Sequence, residues 1–261
     1  MKSIGRAIMK TELRTFLENL GVFKVGFADP AHGFEKAKDC HPNDIMEDCK
    51  SVIVFALNAH LGSYMTLKCS ERNNVELGII NVYGSLVSYK IAEFLKENNY
   101  NAVIPYGYKY EKEKIAYLSF KLAAYEAGLG VFGRSGLIIT PEYGPRIYLG
   151  VVLTDSLIES DRPLKNFNPC AECDVCVRLC PINAINKELP PPTGFNRNRC
   201  LQFINNLREK TNGQIRFCGY CYNCCPAGKV HKETFRLGRW KTLLDLNDQE
   251  RVKLLRTFEK S

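Results

Sequence analysis

The stretch CAECDVCVRLCP at residues 170–181 places four cysteines in the spacing C-x2-C-x2-C-x3-C-P. These cysteines are Cys170, Cys173, Cys176 and Cys180, and Pro181 follows the last of them. Such a run is typical of segments that bind two iron-sulfur clusters, because its first three cysteines hold one cluster and its fourth ligates the other. The run therefore predicts a second group of cysteines elsewhere in the chain.

That second group lies downstream, as Cys200 and the segment FCGYCYNCCP at 217–226. Within the segment, the spacing C-x2-C-x3-C-P selects Cys218, Cys221 and Cys225 and leaves Cys224 out. Each group is expected to lend one ligand to the other. The predicted ligands are Cys170, Cys173, Cys176 and Cys225 for one [4Fe-4S] cluster, and Cys180, Cys200, Cys218 and Cys221 for the other.

Zinc is the alternative metal for these cysteines, since C-x2-C pairs also build tetrahedral zinc sites. A third cysteine in each run, together with Pro181 and Pro226, favours iron and sulfide. The earlier part of the chain holds four more candidate metal ligands: Cys40, His41, Cys49 and Cys69. Their spacing matches none of the usual zinc patterns, so they are interpreted as ordinary side chains whose role the sequence does not assign.

The composition is that of a globular protein. The 261 residues are 45% hydrophobic and 25% charged, enough for one sizeable domain and a small appended one. No apolar run approaches the roughly 18 to 20 residues that cross a bilayer, and the N-terminus lacks the apolar region of a signal peptide. Because cluster ligands are reduced thiolates, these features predict a cytoplasmic protein with no membrane partner.

The formal net charge of +8 predicts an acidic partner: a redox protein, a nucleic acid or an anionic small molecule. Basic residues concentrate after the second cysteine run, at Lys229, Lys232, Arg236, Arg239 and Lys241. Such charge runs are common on solvated surface helices, and this is the interpretation we favour here.

Hydrophobic patterning over the first 160 residues indicates alternating helices and strands. Helices are predicted at 8–20, from Asn74 onwards and at 112–128, and strands at 22–30, 51–57 and 101–107. GLIIT at 136–140 and RIYLGVVLTD at 146–155 are predicted to pair as a hairpin. The apolar positions of the long second helix, predicted to cover the sheet, include Ile79, Val82, Tyr83, Leu86, Phe94 and Leu95.

The segment GLGVFGRSG at 128–136 contains G-x-G-x-x-G through Gly128, Gly130 and Gly133. A dinucleotide-binding motif leaves a strand and opens a helix, so that the pyrophosphate meets the helix N-terminus. These glycines instead follow a predicted helix and precede a predicted strand. They are therefore interpreted as a helix C-cap and a loop of close backbone approach.

Three segments together resemble epoxyqueuosine reductases and their relatives: CKSVIVFALN at 49–58, the helix end AAYEAG with the glycine loop that follows it over 123–155, and the double cysteine motif with RCLQF at 199–203. The resemblance implies a nitroreductase-like α/β domain over residues 1–160 that binds cobalamin. It also implies a ferredoxin-like domain over 161–261 with two [4Fe-4S] clusters, a plan similar to that of corrinoid reductive dehalogenases. The corrinoid loop would then comprise Gly130, Gly133, Arg134, Ser135 and Gly136.

Two departures from that family concern the reaction itself. Lys114 stands where the tRNA-modifying members have an acid that donates a proton, and the helical-repeat extension of longer members does not follow Ser261. Lys114, Tyr108 and Tyr110 are the candidate proton donors, with ordinary surface residues as the alternative. Transfer RNA is accordingly not expected as a partner.

The sequence thus predicts an iron-sulfur oxidoreductase that passes electrons through two clusters to a corrinoid or another small-molecule substrate. Ferredoxin or flavodoxin would be the low-potential electron donor, and a flavin is a less favoured cofactor than cobalamin. The main alternative is an electron-transfer protein that serves a separate corrinoid protein or reductase. A nucleic-acid-binding protein with structural clusters ranks last, because no RNA-binding motif accompanies the charge.

Overall fold

The structure of this chain, a computed structural model, describes residues 2–34, 40–58, 70–105, 108–110, 115–210, 212–213 and 218–228. It divides into two compact units. The sheet unit comprises residues 1–58, 80–131 and 147–166, and the cysteine unit comprises 59–79, 132–146 and 167–261. The division predicted at residue 160 stays a prediction, and the cysteine unit additionally takes in two earlier segments.

The sheet unit is built on four antiparallel strands in the order β1-β2-β8-β3. Its strands are β1 (Lys24–Ala28), β2 (Ser51–Asn58), β3 (Ala102–Val103), β4 (Tyr108–Tyr110), β5 (Ile115–Ala116) and β8 (Ile147–Thr154). Its helices are α1 (Lys2–Asn19), α2 (Pro42–Ile45), α3 (Ser70–Glu97), whose first turns belong to the cysteine unit, and α4 (Phe120–Glu126). Strands β4 and β5 form a separate antiparallel pair.

The cysteine unit has little regular structure in its described part. Its helices are α5 (Val175–Arg178), α6 (Arg197–Lys210) and α7 (Tyr220–Asn223). Strand β6 (Val131–Phe132) spans the boundary between the units and pairs with β7 (Ile138–Ile139). Across the described residues of both units, no helix combines the length and apolar character that a membrane span requires.

The core of the sheet unit lies along β2 and β8, which pair over their full eight residues from Ser51↔Thr154 to Asn58↔Ile147. Seven of the eight β2 residues are buried, which explains why the strand reads as a continuous apolar run rather than an alternating one. Two buried hydroxyls, on the paired residues Ser51 of β2 and Thr154 of β8, have hydrogen-bond partners. Ser51 Oγ accepts from Ile158 N at 2.8 Å, and Thr154 Oγ1 donates to Asn101 O at 2.8 Å.

Helix α3 packs on the sheet with only part of the predicted face: Leu95 is buried as predicted, but Tyr83 and Leu86 are exposed. Ile79 and Val82 are 66% and 73% exposed, whereas Ile80, Val87, Ile91 and Leu95 are buried. A Cβ at Gly84 would collide with the ring of Tyr148 on β8. Because Gly84 has no side chain, the helix can approach the sheet closely on the face that contains Gly84. This face is therefore buried, and the face that contains Ile79 and Val82 is exposed.

The predicted helix at 112–128 and strand at 101–107 are both shorter in the structure. Helix α4 begins at Phe120, where the Oγ of Ser119 accepts a hydrogen bond from Leu122 N at 3.3 Å. Residues 115–119 before it include β5, which pairs with β4, so the helix prediction is wrong there, while its first residues, 112–114, lie outside the described part of the chain. Serine is a strong N-cap, and this signal outweighs the helical spacing upstream of it.

The hairpin predicted between 136–140 and 146–155 is also wrong. Strand β7 pairs with β6, and β8 instead enters the large sheet between β2 and β3. What remains of the hairpin is one bridge between Thr140 and Gly144, with Gly144 at φ 61°. The tight turn separates the two strands, and each finds a different partner.

Asp161 ties three parts of the sheet unit together. Its carboxylate accepts from Lys10 Nζ at 2.8 Å, from Arg14 Nη2 at 3.0 Å and from Phe27 N at 3.1 Å. Its own N–H donates to Phe27 O at 2.7 Å. Helix α1, strand β1 and the segment after β8 are thereby fixed to one another at a single residue.

Candidate functional site

The first set of predicted cluster ligands is gathered in the structure. Burial, and after it the nearby thiols of Cys225, Cys170 and Cys173, raise the pKa of the Cys176 thiol to about 12. Residues 170–176 sit on and before α5, whereas Cys225 follows α7 some fifty residues later. The fold therefore brings the last cysteine of the second run to the first three of the first run.

The second set of predicted ligands is gathered as well. The pKa of Cys218 is raised to about 11, mainly by burial and also by the thiols of Cys200 and Cys180, against a hydrogen bond from the backbone of Tyr220 that lowers it. The pKa of Cys221 lies well above the usual thiol value, through burial and then through Cys218, Cys176, Cys200 and Cys180. Because Cys176 of the first group is among these causes, the two groups of thiols lie near each other.

Cys224 lies between the two groups. It is 3% exposed, and burial together with Cys221, Cys176, Cys225 and Cys173 raises its pKa well above the usual value. Cys224 is the C-cap of α7, and its backbone N–H donates to Tyr220 O. Electrostatic proximity alone does not separate Cys224 from its neighbour Cys225, so the choice of Cys225 as ligand still rests on the spacing.

The chemistry of these thiols fits an iron-sulfur core. Crowded, buried thiols whose pKa values rise stay protonated unless a cationic centre compensates the charge of the thiolates. The buried Oδ1 of Asn223, between Cys221 and Cys225, has no hydrogen-bond partner among the described residues. In the same part of the chain, no three His, Cys, Asp or Glu side chains are arranged to hold a single metal ion.

Arg134 binds the first cysteine run through backbone carbonyls. Its Nε lies 3.2 Å from Cys170 O and 3.1 Å from Cys173 O, and its Nη2 lies 3.1 Å from Cys170 O. Its Nη1 donates to Lys187 O at 2.7 Å, at the far side of the loop. Sequence reasoning placed Arg134 in a corrinoid loop. That role stays a prediction, and the structure adds a direct hold on the cysteine loop.

Arg146 does the same for the second cysteine run, and sequence reasoning missed it. The residue is 1% exposed, and its guanidinium donates to Cys225 O at 2.9 Å and to Ala227 O. A third, longer bond reaches Tyr222 O at 3.4 Å. A fully buried arginine is rare unless paired. The only signal in the sequence was its place directly after the Gly-Pro turn.

The later part of the glycine loop, from residue 132 to 136, belongs to the cysteine unit and packs closely, in agreement with the interpretation as a loop of close backbone approach. Gly136 has φ 69°, and a Cβ there would meet the ring of Phe195; a Cβ at Gly133 would meet Ile139. In the sheet unit, Ala127 is the C-cap of α4 and Gly128 follows it at φ 70°, so the predicted glycine lies at the end of the helix, one residue beyond the cap. Gly130 and Ser135 are both buried. The corrinoid-binding role of this loop remains a prediction.

Several other predicted residues lie outside the described part or have local partners. Lys114, Cys69 and the basic residues from Lys229 to Lys241 lie outside the described residues, as do the side chains of Tyr108 and Tyr110 on β4. Cys40 Sγ donates to Ala116 O at 3.4 Å, and Cys49 Sγ to Ser51 O at 3.6 Å. His41 caps α2 by accepting from Asn43 N.

The chain is 27% identical over 207 residues to the epoxyqueuosine reductase of Prochlorococcus marinus, covering 72% of this chain and 60% of that protein. It is 33% identical over 185 residues to the tetrachloroethene reductive dehalogenase of Desulfitobacterium hafniense, covering 68% and 31%. The chain is similar to epoxyqueuosine reductases and reductive dehalogenases. This confirms the predicted resemblance. No protein-family model matches the chain.

The chain therefore spans less than two thirds of the curated relatives it matches. Solved structures agree on the fold. A reductive dehalogenase whose structure suggests a mechanism for B12-dependent dehalogenation gives a TM-score of 0.60 at 17% identity, covering 91% of this chain and 34% of that one. An epoxyqueuosine reductase bound to a tRNA stem loop gives 0.58 at 22%, covering 84% and 65%. The mixed α/β class is thus confirmed, and the expectation against tRNA gains no support.

Proposed function

We propose that this chain is an iron-sulfur oxidoreductase with two [4Fe-4S] clusters. One would be held by Cys170, Cys173, Cys176 and Cys225, and the other by Cys180, Cys200, Cys218 and Cys221. When bound, each cluster would accept and release one electron at low potential. The relatives are redox enzymes of two kinds, and both names fit a protein that delivers electrons to a demanding reduction.

One observation carries this proposal: the crossed grouping of the thiols. Cys225 comes from the second run but raises the pKa of Cys176 in the first. Cys180 comes from the first run but raises the pKa of Cys218 in the second. An exchange of one ligand between runs is the arrangement that the two-cluster motif requires. Two separate zinc knuckles would have no need of it, because each would be complete within its own run.

The chain's own residues then have distinct tasks. The eight cysteines would hold the two clusters. Arg134 donates to the carbonyls of Cys170 and Cys173, and Arg146 donates to those of Cys225 and Ala227, so the two arginines fix the loops that carry these cysteines. The acceptor would be a corrinoid, or a substrate reduced directly, bound by a nitroreductase-like domain over 1–160. The ferredoxin-like domain over 161–261 would receive electrons from a ferredoxin or flavodoxin in the cytoplasm. Lys114, Tyr108 and Tyr110 remain the candidate proton donors.

Metal and sulfide analysis tests the clusters. We expect protein purified without air, or reconstituted with iron and sulfide, to contain roughly eight iron atoms and eight acid-labile sulfides per chain. It should show broad brown absorption that bleaches on reduction. Zinc without sulfide would overturn the proposal, and so would about four iron atoms per chain, which would leave one group of cysteines unexplained.

Added cobalamin tests the acceptor. If a corrinoid binds, the reduced protein mixed with cobalamin should retain corrinoid absorption bands after desalting. Retention of a flavin instead would favour the nitroreductase-like alternative, and retention of neither would favour an electron-transfer protein without chemistry of its own. A tRNA stem loop belongs in the same assay, and specific binding should weaken steeply with salt because counterions are released.

A further inference from the structure

Two short segments of the cysteine unit, residues 184–186 and 194–196, form an antiparallel ribbon in the stretch of chain between Cys180 and Cys200. The segments pair through one bridge at their centres, and a backbone hydrogen bond of 2.8 Å closes the ribbon at each end. An added Cβ at Gly194 would collide with a backbone oxygen of the opposite segment, so glycine permits this close approach. Each end of the ribbon lies a few residues from one of the two cysteines.

The start of the ribbon holds the sulfur of Cys180. The backbone N–H of Ala184 donates to Cys180 Sγ at 3.2 Å, and the N–H of Asn183 donates to Cys180 O at 3.2 Å. Asn183 has φ 51°, a left-handed conformation that asparagine adopts more readily than most residues. The chain therefore turns back on itself here, and the N–H that follows the turn points at the sulfur of a predicted cluster ligand.

The end of the ribbon holds Cys200 through Asn196, the residue directly before α6. The Oδ1 of Asn196 accepts a hydrogen bond from Arg199 N at 2.9 Å, and its backbone oxygen accepts from Cys200 N at 3.2 Å. Asparagine is among the best residues in this position, because its side chain satisfies an N–H of the first helical turn. The N–H of Asn196 in turn donates to Ala184 O at 2.8 Å, which joins the ribbon to the helix that carries Cys200.

We propose that Asn196 is a positioning residue for the proposed cluster that includes Cys180 and Cys200. An unbroken chain of hydrogen bonds runs from the sulfur of Cys180 through Ala184 and Asn196 to the backbone of Cys200. The two cysteines come from different segments and must reach one cluster, so the ribbon sets the distance between the backbones that carry them. The inference rests on the proposed function, since it assumes that these cysteines bind a cluster.

Release of iron from the reconstituted protein to bathophenanthroline disulfonate, measured without air, tests this inference. We expect Asn196→Ala to release about half of its roughly eight iron atoms about fivefold faster than wild type. The lost cap allows the first turn of α6 to open more often, and the cluster is released from the opened form. Asn196 is exposed, so its replacement leaves no cavity. Asn196→Ser keeps a capping oxygen and should restore most of the wild-type rate.

Asn186→Ala is the matched control within the ribbon. It removes the same kind of side chain and a hydrogen bond of the same length, from Glu188 N to Asn186 Oδ1 at 2.9 Å, but this bond lies outside the chain of bonds between the two cysteines. Ser119→Ala removes a helix cap in the sheet unit and controls for a general loss of stability. Both controls should release iron at the wild-type rate. The electron paramagnetic resonance signal that is missing in Cys218→Ser should be the one that decays first in Asn196→Ala.

Four results would overturn the inference: a wild-type rate in Asn196→Ala, equally fast release in either control, no recovery in Asn196→Ser, or faster decay of the signal that Cys218→Ser retains. The rates decide on their own if Cys218→Ser binds no iron. Wild-type protein that forms no cluster on reconstitution would refute the proposed function and this inference with it. Wild-type protein with both clusters and unchanged release in Asn196→Ala would refute the inference alone.

Discussion

The strands β2 and β8 and the segment from Cys170 to Gly228 are held together by different means. The two strands pair along eight residues each and are largely buried, so side-chain packing and ladder hydrogen bonds stabilise them. The described part of the cysteine segment has short helices, and its buried apolar side chains are Leu179, Ala184, Ile185, Leu207 and Cys224. Such a small apolar core is typical of segments that fold around a metal centre.

Because of this difference, the two regions should be destabilised by different kinds of substitution. The stability of the sheet should fall when a buried methyl group is removed and should stay the same when iron is lost. The cysteine segment should respond to the loss of a ligand and be insensitive to changes in the sheet. Each of the following variants is expected to affect one region and spare the other.

The largest effect is expected from Cys225→Ala. Loss of this predicted ligand should release one cluster and lower the iron content by about half, from roughly eight atoms per chain. Cys224→Ala is the matched control, since it removes the adjacent buried thiol and should leave iron near the wild-type value. Iron and sulfide analysis of both proteins is the measurement. If the control loses the iron and Cys225→Ala keeps it, the ligand has been assigned to the wrong neighbour.

The next largest effect is expected from Ile53→Ala, in the fully buried middle of β2. The lost methyl groups and the cavity left behind should lower the free energy of unfolding of the sheet unit by about 2 to 5 kcal/mol. Denaturant unfolding followed by far-ultraviolet circular dichroism measures this. Iron content should stay unchanged, and a proportional loss of iron would show that the two regions are not energetically separate.

A smaller effect is expected from Ser119→Ala. The Oγ of Ser119 caps α4, and such a cap is worth about 1 kcal/mol of unfolding free energy. Ser119→Asp should restore most of the loss, because aspartate also caps helices. The same denaturation experiment distinguishes them. Equal stability of all three proteins would mean that α4 is held by tertiary packing alone.

The smallest effect appears only at alkaline pH. Burial raises the pKa of Cys49 from 9.0 to about 11, so the folded state keeps its proton where the unfolded state loses it. The stability contributed by this thiol is complete below about pH 9 and declines as the pH rises towards about 11. Cys49→Ala should therefore show a shallower decline over that window. Parallel curves for the two proteins would contradict this.

The sequence predicted best what depends on spacing along the chain. The spacing of the two cysteine runs predicted that thiols from both runs would lie near one another, as they do, while their division into two sets of ligands stays a prediction. The apolar run at 51–57 predicted β2 within one residue. The prediction that a helix ends at Gly128 also depended only on neighbouring residues in the sequence. These features follow from neighbours a few residues away, where propensity and ligand geometry dominate.

What escaped prediction depends on distant partners. The buried face of α3 contains Gly84, which lies against Tyr148, and β7 pairs with β6 while β8 enters the large sheet between β2 and β3. Arg146 looked like a surface residue because arginine usually is one. Its role depends on carbonyls some eighty residues further along the chain, and no spacing rule encodes such a contact.

The double contact between Asp161 and Phe27 has a consequence for the behaviour of the protein in concentrated solution. Strand β1 is an edge of the sheet, and an edge with unsatisfied N–H and C=O groups can recruit a strand from another molecule. Asp161 binds both outward-facing groups of Phe27, one through its carboxylate and one through its own N–H. An incoming chain would have to displace this residue and its ion pairs, so the contact protects the molecule against edge-to-edge aggregation.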